Sequence, residues 1–263
     1  MSDDDNDVSG ALAGAVASGV LSPQSATLIT GNLGGVVIAG AAGKALEDIV
    51  ASDVTLITVL IDKSSSIADT NLTQAVRDGQ NELVKAFRGA REKDSVLMAL
   101  WTFESSMDVV HSYLPADDAV LLDSKNYRPG GATTLYDTWC DALAANVAYA
   151  QRLRAGGTPC RSVVVIITDG ADCGSNRRAS DCKRLSQDLL ASEQFTLAFV
   201  GVGKDTDFLK VAKSMGVPDS CVLVQKDATP SALRRTFQMV SQSAIRASQG
   251  RIQPGANAGF FTP

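Results

Sequence analysis

Asp62, Ser64 and Ser66 stand at alternate positions in Asp62-Lys63-Ser64-Ser65-Ser66, directly after an apolar run from Val54 to Ile61. A buried strand that stops at a carboxylate followed by spaced hydroxyls suits neither a core nor a plain solvated loop. It does suit a small hard cation. Mg²⁺ takes oxygen ligands in near-octahedral geometry at roughly 2.0–2.1 Å and keeps several waters. In an extended turn, these three side chains point their oxygens into one concavity. A D-x-S-x-S string also arises by chance in many chains, so the remaining ligands must come from elsewhere. Two further segments offer them: Gly130-Gly131-Ala132-Thr133, and Thr168-Asp169-Gly170 after another apolar run.

These segments meet only if the elements between them allow it. Val54–Ile61 is a continuous β-branched run, as in a strand buried on both faces. Leu72, Val76, Leu83, Val84 and Phe87 mark a helix stripe, and Ser95–Phe103 a second buried strand. The short connection Glu104–Ser106 makes Met107–Leu114 an antiparallel third strand. A helix from Leu135 to about Arg154, a strand Ser162–Thr168 and a helix from Arg177 to about Ser192 follow. Strand Phe195–Val202, a helix from Asp205, a short strand Cys221–Val224 and a helix capped by Thr229-Pro230 complete the series.

This alternation predicts an α/β fold: a doubly wound, mostly parallel six-stranded Rossmann-like sheet with one antiparallel edge strand and helices on both faces. The expected organisation is a disordered acidic tail over 1–7, an Ala/Gly-rich extension over 8–50, the α/β domain over 51–247, and a tail over 248–263. In open α/β sheets ligands bind at the carboxyl ends of strands where the winding reverses. Strands one and four become neighbours there, which brings Asp62 and Asp169 to one crevice within reach of the Gly130–Thr133 loop. The candidate metal ligands are therefore Asp62, Ser64, Ser66, Thr133 and Asp169.

The three motifs, in this order, resemble the metal-ion-dependent adhesion site of von Willebrand factor type A domains. The resemblance covers about 200 residues. Its T-x-L-Y-D form selects Thr133 over Thr134. Ser65 and Ile67 replace a glycine and a methionine common in the first motif, and neither is a ligand position. The resemblance implies a non-catalytic module holding Mg²⁺ or Mn²⁺, with the two serines, and in one conformation the threonine, binding directly and the aspartates often through water. It further implies that the ion accepts an Asp or Glu carboxylate from a partner protein, and that the Thr133 loop moves with the last helix. The closing helix is similar to intracellular bacterial members. These work beside MoxR-type AAA+ ATPases or in stress and defence assemblies. An alternative from the residues alone is a Mg²⁺-dependent phosphohydrolase or phosphotransferase using Asp62 as nucleophile. Serine at position 64, where such enzymes want a second aspartate, disfavours it.

Around the site, Lys63, Arg128, Tyr136 and Asp172 are expected to rim the metal and select partners, with ordinary surface loops the competing reading. A net charge of −5 argues against a nucleic-acid binder. Five cysteines without a C-x-x-C, and a single histidine, argue against a zinc site and fit a reducing compartment. A local Cys173–Cys182 bridge stays open. No apolar run reaches membrane-spanning length, so the expected location is cytoplasmic. His111 reads as core. Gly201-Val202-Gly203-Lys204 lacks the spacing of a phosphate loop. The 8–50 extension reads as an extra packed layer, and Phe260-Phe261 as a pair that docks on this domain or on a partner.

Overall fold

Small residues open the chain, yet they form helices because a large apolar helix lies beneath them. In the computed structural model, which describes residues 3–31 and 33–262, α1 (Asp3–Ala17), α2 (Pro23–Thr30) and α3 (Gly35–Ala41) precede the first strand. Ser22 caps α2 by accepting the Ser25 N–H, with Pro23 in the first turn. Residues 3–7, read from composition as a disordered tail, lie in α1, and Asp7 pairs with Arg152 at 2.6 Å. Residues 1 and 2 lie outside the described residues.

The alternating part follows: β1 (Val54–Asp62), α4 (Ser65–Asp69), α5 (Thr73–Arg88), β2 (Val96–Phe103), β3 (Met107–Pro115), α6 (Leu135–Ala155) and β4 (Cys160–Thr168). Then come α7 (Ala179–Ala191), β5 (Phe195–Val202), α8 (Phe208–Ser214), β6 (Val222–Gln225) and α9 (Pro230–Ser248). The sheet order is β3-β2-β1-β4-β5-β6, with β3 antiparallel to β2 and every other pairing parallel. β1 is central and buried at every position, which is why its sequence shows no alternation. The chain winds outward from β1 to β3, then returns to β4 on the other side of β1. The carboxyl ends of β1 and β4 are thereby adjacent at the reversal, with Ile61 paired to Ile167.

Several boundaries differ from the sequence expectation. The turn after β1 is extended only through Ser64 and then becomes the short helix α4, with Ser64 at φ −64°, ψ 166° as its cap. α7 starts at Ala179 because Asp137 holds the Asn176 and Arg177 N–H groups at 2.9 Å each, outside the helix. α8 starts at Phe208, after Asp207 caps it through the Lys210 N–H.

α6 is buried over most of its circumference, since α1 and α3 cover the face turned away from the sheet. Val8, Leu12 and Ala15 of α1 and Val37 and Ala41 of α3 belong to the same core as α6. On the opposite side of the sheet α5 and α9 pack together. After α9 the chain folds back on itself. Gly255 N–H donates to Phe195 O (2.8 Å), the Cys221 thiol donates to Ala258 O (2.8 Å), and Arg246 donates to Phe260 O (3.1 Å) and Thr262 O (2.8 Å). Phe260 is fully buried on this domain, with Phe261 edge-on beside it. No single helix among the described residues is long and apolar enough to cross a membrane.

Candidate metal centre

Asp62 ends β1, 1 % exposed, with both carboxylate oxygens engaged. Oδ1 accepts the Ser64 N–H at 2.7 Å and Oδ2 accepts the Thr168 hydroxyl at 2.6 Å. Thr168 is itself the last residue of β4, so the two strand ends fix each other. Ser64 Oγ lies 3.1 Å from Ser66 Oγ, and Ser66 Oγ donates to Asp169 Oδ1 at 2.8 Å. These contacts gather Asp62, Ser64, Ser66 and Asp169 in one crevice.

The Gly-rich loop is fastened to the same place by its backbone. Gly130 N–H donates to Lys63 O (2.7 Å), and Ser65 N–H donates to Gly131 O (3.2 Å). Gly131 adopts φ +71°, a region in which a side chain is strained. Thr133 then falls beside the third segment: its carbonyl accepts the N–H groups of Cys173 (3.0 Å) and Gly174 (3.2 Å). Its hydroxyl lies 3.5 Å from where a Cβ on Gly170 would sit, and makes no hydrogen bond among the described residues. Thr134 differs. Its hydroxyl and its N–H are both committed to Glu104 O, at 2.6 and 3.0 Å. Of the two threonines, Thr133 alone has a hydroxyl left for a ligand.

Burial raises the Asp62 carboxyl to about 6 against the lowering effect of its Ser64 and Thr168 bonds, and burial also raises Asp169. Neither carboxylate is in an ion pair among the described residues. The nearby phenol of Tyr127 is pushed well up by burial and by the charges of Asp62 and Asp169. Two under-compensated carboxylates with three hydroxyls form a hard, oxygen-only donor set, which fits Mg²⁺ or Mn²⁺ rather than a softer metal. Among the described residues no cluster of three or more His, Cys, Asp or Glu side chains is arranged for a metal.

The four rim residues fall differently. Lys63 has its N–H on Phe103 O (2.8 Å), continuing the β1–β2 ladder, and its ammonium paired with Asp108 of β3. Arg128 is exposed, its Nε donating to Ser124 O at 2.7 Å. Tyr136 and Asp172 are half-buried. Asp172 Oδ1 accepts the Tyr136 N–H (3.2 Å) and the Ser175 hydroxyl, so it caps the start of α6. Three supporting residues escaped the sequence reading. Thr168 holds Asp62 Oδ2, Tyr127 donates its phenol to Asp62 O at 2.7 Å, and Cys173 Sγ accepts the Thr133 N–H at 3.2 Å. The T-D-G string contained the first of these, the sequence offered Cys173 only as a disulfide partner of Cys182, and nothing in it marked Tyr127.

A family model for the von Willebrand factor type A domain matches residues 57–236. The PilB minor pilin from Streptococcus sanguinis is similar at a TM-score of 0.54 and 11% identity, over 76% of this chain and 63% of that one. The pilus adhesin SpaC from Lactobacillus rhamnosus GG, in an open conformation, gives 0.53 and 13%, over 74% and 30%. Proximal thread matrix protein 1 from the mussel byssus gives 0.53 and 20%, over 72% and 48%. At these identities the likeness is one of fold. The chain spans less than two thirds of the length of each of these structures. A search of curated proteins finds no match. Domains of this kind are in general adhesion or protein-binding modules and are usually non-catalytic. With its sheet order, its switch-point crevice and the family match over 57–236 in agreement, the chain belongs to the von Willebrand factor type A domain family.

Proposed function

We propose that this chain is a non-catalytic, metal-dependent protein-binding module whose adhesion site is formed by Asp62, Ser64, Ser66, Thr133 and Asp169. These residues would hold Mg²⁺ or Mn²⁺. When bound, the ion supplies an electrophilic centre, short of negative charge because hydroxyls dominate its donors, to which a partner's Asp or Glu carboxylate binds. The observation that carries the reading is Ser66 Oγ joining two remote segments, 2.8 Å from Asp169 and 3.1 Å from its neighbour Ser64, with the uncommitted Thr133 hydroxyl of a third segment beside Gly170.

The chain's own residues do the positioning. Thr168 and the Ser64 N–H fix both Asp62 oxygens, so that carboxylate keeps one orientation. Cys173 and Gly174 hold the Thr133 backbone against the Asp169 loop. Tyr136 and Arg128 border the crevice as candidates for partner selection. An odd number of cysteines without a C-x-x-C fits a reducing compartment better than a disulfide framework, and we place the assembly there.

Calorimetric titration of the purified chain with MgCl₂ and MnCl₂ tests the reading. One saturable site is expected. Thr133→Ala and Asp169→Ala should weaken it by about tenfold or more, since even outer-shell partners of a metal contribute that much. Thr134→Ala should leave binding near wild type. Capture of an immobilised acidic peptide should require the metal and be abolished by EDTA. A folded wild type that takes up neither ion refutes the proposal.

A further inference from the structure

We propose that Cys140 and Cys182 are a latent disulfide, closed by a small peroxide-type oxidant, and that its closure weakens ligand binding at the neighbouring site; the second half rests on the function proposed above. Cys140 lies on α6 and Cys182 on α7, both fully buried, with their sulfurs 3.7 Å apart. All five cysteines are free. Cys173, which the sequence offered as the partner of Cys182, is instead exposed, with its sulfur accepting the Thr133 N–H.

The chemistry balances with one equivalent of hydrogen peroxide. One thiol is oxidised to a sulfenic acid as the peroxide O–O bond breaks, releasing water. The second thiol's sulfur then displaces the sulfenic oxygen, which leaves as a second water, and the S–S bond forms. Two protons and two electrons pass from the thiols to the oxidant. Burial pushes the Cys182 thiol up, which lowers its thiolate fraction and makes the oxidation slow, and it shuts out bulky or charged reagents, so a small uncharged oxidant is the class that fits.

The pair is mechanically connected to the site. α6 begins directly after Thr133-Thr134, and Cys140 lies in its second turn. The Cys182 thiol donates to Tyr136 O in the first turn of the same helix, at 3.6 Å. The loop leading into α7 is attached there too: Cys173 and Gly174 through Thr133 O, and Arg177 through Asp141 at 2.6 Å. In a disulfide the sulfurs sit at about 2.05 Å, so they must approach by about 1.6 Å from the 3.7 Å seen here. A binding constellation tolerates only about 0.5 Å of displacement. Closure removes the S–H donor from Tyr136 O and ties α6 to α7 close to Thr133-Thr134, so the state of the two sulfurs acts on the turn that carries Thr133.

The reduced full-length chain is treated with hydrogen peroxide, alkylated after denaturation and mapped by mass spectrometry. A Cys140–Cys182 linked peptide is expected, with two of the five thiols protected, in the wild type and in Cys173→Ser but not in Cys140→Ala. Mg²⁺ affinity should fall by about fivefold or more, the lower end of ordinary coupling between sites, and recover with dithiothreitol. A different linkage, or none, overturns the disulfide. The expected linkage with unchanged affinity overturns the coupling. Should the reduced chain bind no metal, the site reading fails separately. Hydrogen exchange across 133–141 and 170–182 then decides: altered exchange on oxidation supports the coupling, and unaltered exchange overturns it. Mapping of the wild type keeps the disulfide testable if Cys140→Ala does not fold.

Discussion

His111 lies in β3, 6 % exposed, and neither ring nitrogen has a hydrogen-bond partner among the described residues. Burial lowers its proton affinity from 6.5 to about 4, so the folded protein keeps the ring neutral. Between those values the unfolded chain binds a proton that the folded chain does not, and stability falls as the pH drops through that window. Above about 6.5 the effect is absent, and below about 4 it is complete. The stability gap between wild type and His111→Leu, read by urea denaturation, should shift by about 2 kcal/mol against the wild type between pH 7 and pH 5. A gap that does not move with pH would mean the ring is solvated. The same contrast between identity and environment runs through the candidate site. That Asp62, Ser64, Ser66 and Asp169 converge was legible because the sequence puts them after two buried runs that become neighbouring strands at the winding reversal. The direction of Lys63 was not, because it depends on Asp108, a residue brought alongside only by the antiparallel edge strand. Equally, the choice between Thr133 and Thr134 became physical only with the Glu104 carbonyl in view.

Helix α5 approaches α9 through Gly79, which faces the ring of the buried Phe237. A Cβ at Gly79 would lie 2.2 Å from Phe237 Cδ2. Gly79→Ala sets two effects against each other. Helix propensity favours alanine by about 0.8–1 kcal/mol, whereas overpacking a core costs about 1–3 kcal/mol. Because the overlap reaches Phe237 Cγ at 2.6 Å, close to the backbone of α9 rather than at the end of a flexible side chain, it wins, and a net loss of about 1–2 kcal/mol is expected in chemical denaturation. Gly89→Ala, whose Cβ would meet nothing closer than 3.7 Å, should be near neutral and serves as the control. Equal effects at the two positions would contradict the close packing. The strands and the large helices were legible from apolar runs and from helical spacing, since burial on two faces or one writes itself into the sequence. The N-terminal helices were harder to read. Gly10 and Gly14 lower the propensity of α1, and the contact with α6 overrides that loss, with Gln151 lying 3.2 Å from where a Gly14 Cβ would be. The short helix α4 follows from the geometry of Ser64, which no periodicity records.

The chain closes on itself at both ends: α1–α3 cover α6, and residues 249–262 return to the start of β5 and to Cys221. The doubly wound order follows from the number and polarity of the buried runs, whereas the landing place of the tail depends on contacts between residues far apart in the chain. Phe260-Phe261 announced that something would cover it, and the cover proves to be this domain. Arg246 of α9 holds two tail carbonyls, and the Cys221 thiol donates to a third, Ala258 O, so the tail doubles as a lid over that sulfur. Burying one phenylalanine contributes roughly 1.5–3 kcal/mol, and hydrogen bonds from a guanidinium about 1.5–3 kcal/mol each. Removing residues 250–263 should therefore lower stability by about 3 kcal/mol or more, after the entropy regained by the freed segment is set against those gains. The same truncation should expose Cys221. Its alkylation by iodoacetamide in native buffer, followed by peptide mapping, should accelerate sharply, while Cys140 and Cys182, sealed between α6 and α7, stay slow. Acceleration confined to Cys221 would show that the tail seals only the β6 end of the molecule, and unchanged rates at Cys221 would mean that the tail is not what buries it.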